Sequence, residues 1–67
     1  MFTYKPLWKL LINKNMNYTE FAHTCNISST TLYKMRKDKY IDMQSLNKVC
    51  SNLQCKIEDI IEYIPDT

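Results

Sequence analysis

The sequence predicts an all-α fold, a compact arrangement of five short helices around one core. Three observations carry this. Apolar residues recur at three- and four-residue spacing in five separate segments. Helix-capping side chains, Asn17, Ser28 and Asp42, stand immediately ahead of three of those segments. Proline occurs only at positions 6 and 65, at the opening of the first segment and just after the last.

Taken in order, residues 1–4 (Met-Phe-Thr-Tyr) alternate apolar and polar too briefly to define an element, and read as a short arm, either loose or a brief strand. Lys5-Pro6 opens the first helix, where proline's missing N–H has no intrahelical partner to lose. Leu7, Trp8, Leu10 and Leu11 give it an apolar face, and Asn13 to Asn15 break the pattern. Asn17 with Glu20 three residues on is a capping box for the second helix, whose inward residues are Phe21, Ala22 and Cys25. Asn26 then suits the left-handed turn that ends many helices. Ser28 caps a third helix that turns Leu32 and Met35 inward together with Ile27. Asp42 caps a fourth, along which Met43, Leu46, Val49, Cys50 and Leu53 recur. A fifth, short helix takes Ile57, Ile60, Ile61 and Ile64, with Glu58 and Asp59 matched to the dipole of its first turn.

With 67 residues the chain makes one domain, 1–67, with one small core. A chain of this length buries only about 60% of its unfolded surface. A hydrophobic content of 45% is enough for a helical core without a metal. Glycine is absent, which argues against a phosphate-cradling loop. No apolar run approaches the length of a membrane span, and no leader pattern opens the chain. Cys25, Cys50 and Cys55 form no Cys-x-x-Cys and leave an odd count, so they read as core hydrophobes of a protein kept in the reducing cytoplasm. His23 and Cys25, two apart on one helix, face different ways, so no metal or other cofactor is expected. The one histidine, His23, has only Glu20 beside it, an outward pair typical of solvated surface, so no enzyme activity and no small-molecule ligand are expected either.

Residues 17–37 have a more specific layout. Two short helices meet across a tight break. Ala22 is small where a second helix would cross the first, Asn26 lies four residues later where the chain must turn, and apolar Phe21, Cys25, Ile27, Leu32 and Met35 surround the junction. That is the pattern of a helix-turn-helix. Its second helix carries Ser29, Thr30, Tyr33, Lys34 and Lys37 along one outward face, opposite Leu32 and Met35. Hydroxyls come first, where a helix end enters the major groove and meets base edges. Tyr33 and Lys34 reach bases or phosphates, while Lys37 and Lys39 suit phosphates. Tyr18, first in the second helix, sits where a phosphate would meet the positive helix end. Tyr40 either grips the DNA backbone in the same way or packs on the core. The net charge is only +2, but Lys34, Arg36, Lys37 and Lys39 cluster, while residues 57–67 carry acids and no base.

These residues resemble the Cro and lambda-repressor type of helix-turn-helix domain, the xenobiotic response element (XRE) family of regulators. The resemblance spans about residues 5–64. NYTEFAHTCNISSTTLYKMRKD is similar to the family's central motif, and DMQSLNKVCSNLQCKIEDIIEYIPD to the end of its compact subgroup. It implies a five-helix lambda-repressor-like domain that binds double-stranded operator DNA, usually as a homodimer, and regulates transcription. By carry-over Ser28, Ser29, Thr30, Tyr33 and Lys34 match base- and phosphate-contacting positions. Tyr18 matches a backbone-contacting glutamine common in the family, and Asn26 stands for the usual turn glycine. The expectation is a repressor on a pseudo-palindromic operator, with Ile57, Ile61, Tyr63 and Ile64 as the first choice of dimer face and the N-terminal arm as the second. The rival is a protein-binding adaptor or antirepressor that keeps the fold without reading DNA.

Overall fold

The computed structural model describes residues 1–66. In chain order the elements are β1 (Phe2–Thr3), α1 (Lys5–Asn13), α2 (Tyr18–Cys25), α3 (Ser29–Arg36), α4 (Met43–Leu53), a single 3-10 turn (Ile57–Asp59) and β2 (Glu62–Tyr63).

The local signals set the helix boundaries. Pro6 stands in the first turn of α1. Asn17 Oδ1 accepts the Glu20 N–H at 2.8 Å and Glu20 Oε1 accepts the Asn17 N–H at 3.2 Å, which completes the capping box of α2. Ser28 Oγ accepts the Thr31 N–H at 3.2 Å at the head of α3. Asp42 caps α4 through the Ser45 N–H and accepts the Ser45 hydroxyl at 2.6 Å. The hydrogen bond from Ser45 holds the Asp42 carboxyl below its ordinary pKa.

Tyr4, Leu7, Leu11, Phe21, Cys25, Ile27, Met35, Val49, Leu53 and Ile60 form the buried core, so every helix contributes to it. Cys25 is fully buried, and Cys50 and Cys55 are half-buried free thiols; burial, and then the neighbouring Cys50, raises the Cys55 pKa. Among the described residues no helix is long and apolar enough to cross a membrane, and no group of metal-ligating side chains could hold an ion.

The expected fifth helix is not there. Among the described residues there are four α-helices, and residues 57–64 hold the 3-10 turn and then β2. β2 pairs antiparallel with β1, Phe2 opposite Tyr63 and Thr3 opposite Glu62, and the Ile64 N–H reaches the Met1 carbonyl. So the fold is mostly helical with a two-stranded ribbon, rather than all-α, and the N-terminal arm is a strand. The physical reason is twofold. Half of residues 57–64 are β-branched isoleucine, which favours extended backbone. The segment is also too short, between the turn after α4 and Pro65, to repay helix nucleation, whereas the arm offers ready backbone partners. Ile60 is fully buried and its carbonyl accepts the Leu7 N–H at 3.3 Å, which fixes the segment to α1.

The helix face proposed for dimerisation therefore does not form. Tyr63 packs edge-on to Phe2 with ring centroids 5.4 Å apart, while Ile61 and Ile64 are half-buried. Tyr40 is also resolved: it is 71% exposed and touches Phe2 rather than the core.

Candidate nucleic-acid interface

Helix α3 is short, so its placement depends on its two ends. At its start, the left-handed Asn26 (φ 55°) reverses the chain, and the Ile27 N–H returns to the Ala22 carbonyl at 2.9 Å. This turn drops Ile27 into the core and starts α3 across α2. Met35, fully buried, anchors the far end.

That anchoring leaves Ser29, Thr30, Tyr33, Lys34 and Lys37 exposed along one face. Tyr33 is 56% exposed, a large aromatic outside the core. Its ring faces two ammonium groups, Lys37 Nζ at 5.9 Å and Lys39 Nζ at 6.0 Å from the centroid. Tyr33, Lys37 and Lys39 thus make one cationic, aromatic cluster. Ser28 is exposed too, but its hydroxyl already serves the cap and donates to Thr31 Oγ1 at 3.1 Å.

Tyr18 opens α2, where N–H groups lack intrahelical acceptors. Its ring packs edge-on to Trp8 at 5.2 Å, and the Arg36 guanidinium lies over its other surface at 4.5 Å. The stack ties α1, the head of α2 and the tail of α3 together, and sets a phenol beside a fixed cation. The sequence marked Arg36 only as part of a basic run. No local signal links it to Tyr18, because the contact depends on the helix crossing.

Asp38 is the second residue whose role the sequence did not show. It takes a left-handed conformation (φ 56°) after α3, and its carboxylate accepts the Thr3 hydroxyl and the Tyr4 N–H, each at 3.1 Å. The Tyr4 phenol donates to the Lys39 carbonyl at 2.8 Å. Burial, and then the neighbouring Asp38 charge, raises the Tyr4 pKa, which keeps the phenol protonated as that bond requires. The lone acid in the basic run therefore points inward and clamps the turn to β1, and Lys37 and Lys39 are held outward on either side of it.

The arrangement is an exposed helix face with hydroxyls first, an aromatic and a lysine one turn later, and cations at its end. It can present hydrogen-bonding groups to base edges and positive charge to phosphates. His23 is exposed elsewhere on α2, and Glu20 is engaged in the capping box rather than with it.

Comparison with known proteins agrees with this geometry. A solved structure described as that of the transcriptional regulator VanUg is similar at a TM-score of 0.92 and 34% identity, over 97% of this chain and 87% of that one. Comparison with curated proteins finds no match. The family model for the Cro/C1-type HTH DNA-binding domain matches residues 6–66, nearly the whole sequence, and the chain belongs to that family.

Proposed function

We propose that this protein is a transcriptional repressor that binds a pseudo-palindromic operator as a homodimer, each copy laying α3 in the major groove. The observation that carries the reading is the exposed α3 face, on which Ser29, Thr30, Tyr33 and Lys34 stand clear of the rest of the molecule. Ser29 and Thr30 meet base edges, and Tyr33 and Lys34 reach bases or phosphates one turn on. Tyr18, with Arg36 stacked on it, takes one phosphate, and Lys37 and Lys39 take others. Ser28 contributes through the cap that aims the helix. The chain acts as a single domain, in the cytoplasm, without catalysis. A repressor needs no more than this, because occupancy of a promoter blocks it sterically.

The test is selection of bound sequences from a random duplex pool, followed by salt titration of wild type, Lys34→Ala and Tyr33→Ala. Lys34→Ala is expected to weaken binding and flatten the dependence of log affinity on log salt by about one unit. Tyr33→Ala is expected to relax base preference at one position. If both variants keep wild-type affinity and selectivity, this use of α3 is wrong. If no duplex binds even at about 50 mM salt, the adaptor reading takes its place.

A further inference from the structure

A second exposed feature lies beyond the end of α3. Phe2, Tyr40, Met43 and Tyr63 come from three parts of the chain and are 38%, 71%, 79% and 57% exposed. Met43 lines a groove of about 380 Å³ together with Phe2, Tyr4, Tyr40, Ile41, Leu46 and Ile61. The DNA reading does not use this surface. We infer that it joins two copies of this chain about a two-fold axis, with Met43 of each copy seated in the other's groove. The inference rests on the proposed operator binding, for which it supplies the missing partner surface.

Four features of the surface select a second copy. The first is shape: a protruding, unbranched side chain stands next to a groove large enough to receive one, so the face is complementary to itself, as an isologous interface requires. The second is area. At roughly 150–250 Å² per fully exposed aromatic side chain, these four residues and the groove walls offer on the order of 500 Å² per copy. That reaches the size of the largest apolar patch a monomer leaves open, and two such faces approach the lower limit of a specific interface. The third is charge. The residues of the patch and of the groove are all uncharged, so pairing two copies buries no formal charge at its centre.

The fourth is spacing. The body measures 35 × 24 × 18 Å, so equivalent points on two adjoining copies lie within reach of one DNA turn, roughly 34 Å. Asp38 and Tyr4 clamp the end of α3 to β1, next to this face. A two-fold axis here would therefore hold both α3 helices at one fixed spacing.

The test uses the full chain in sedimentation equilibrium, with Met43→Asp, Tyr40→Asp and, as a control at another exposed apolar position, Ile12→Asp (Ile12 is 75% exposed). Circular dichroism confirms the fold of each variant. Wild type and Ile12→Asp are expected to rise with concentration from the 8.0 kDa monomer towards twice that mass. Met43→Asp and Tyr40→Asp are expected to weaken self-association on the order of 30-fold or more. A wild type that stays monomeric, free and on duplex, overturns the inference, as do folded Met43→Asp and Tyr40→Asp variants that still dimerise like wild type. Affinity for random duplex at low salt is measured in parallel. If it is lost in wild type while the mass still doubles, the DNA reading fails and the dimer face stands.

Discussion

Four residues of this glycine-free chain do what glycine usually does. Asn15, Asn26, Asp38 and Gln54, at φ 58°, 55°, 56° and 51°, each follow one of the four α-helices in the left-handed region. In each case the next N–H returns to a carbonyl five residues back: Met16 to Leu11, Ile27 to Ala22, Lys39 to Lys34 and Cys55 to Cys50. Asn and Asp tolerate that backbone because their short polar side chains bond locally. Asn26 was legible in the sequence for this reason. Gln54 was not, since its longer side chain gives no such compensation and nothing in its neighbours marks the turn. Gln54→Gly is therefore expected to stabilise the domain by about 1 kcal/mol, the relief of the left-handed backbone less glycine's greater freedom when unfolded. Asn26→Gly is expected to fall within about 0.5 kcal/mol of wild type. Urea unfolding at a common m-value reads both, and a destabilised Gln54→Gly would count against relief of backbone strain at that turn.

Elements divide by the range of the interaction that defines them. The starts of α2, α3 and α4 could be read from the sequence because a cap and its N–H lie three residues apart. The ribbon could not be read. β1 and β2 are some 60 positions apart, and Ile57, Ile60, Ile61 and Ile64 stand at the spacing of a helix. The same holds at the candidate interface. The outward face of α3 follows from period alone, whereas the Tyr18–Arg36 stack and the Thr3–Asp38 clamp exist only once helices and arm have docked. The α2–α3 junction has its own test. Ala22 is half-buried against the core, and its carbonyl accepts the Ile27 N–H that turns the chain. Ala22→Leu adds volume at this half-buried position, and is expected to cost about 1–3 kcal/mol with a clear drop in thermal midpoint. A wild-type midpoint would mean that Ala22 does not set the approach of α3 to α2.

At the scale of the whole molecule, a small core that includes a thiol and a phenol ties stability to alkaline pH. Burial, and then the nearby Cys55, pushes the Cys25 pKa up to about 11. Cys55 and Tyr4 are raised as well, each chiefly by burial. In all three the folded state favours the protonated form. Once the pH passes the ordinary thiol value, near 9, the unfolded chain releases protons that the folded chain retains. The folded state then binds more protons, so stability must fall as pH rises. This contribution is complete below about pH 9 and is lost by the time the pH has passed about 11. Ionisation of Tyr4 would add a structural loss, because its phenol is the donor that holds the Lys39 carbonyl, and with it the turn after α3, against the arm. The decisive comparison is between variants rather than between pH values alone. Cys25→Ala is expected to have a lower thermal midpoint than wild type at pH 7, from the cavity left in the core. It is also expected to lose less stability than wild type between pH 9 and about 11, so that the two midpoint curves converge. Curves that stay parallel across that range would show that the buried thiol does not titrate with unfolding.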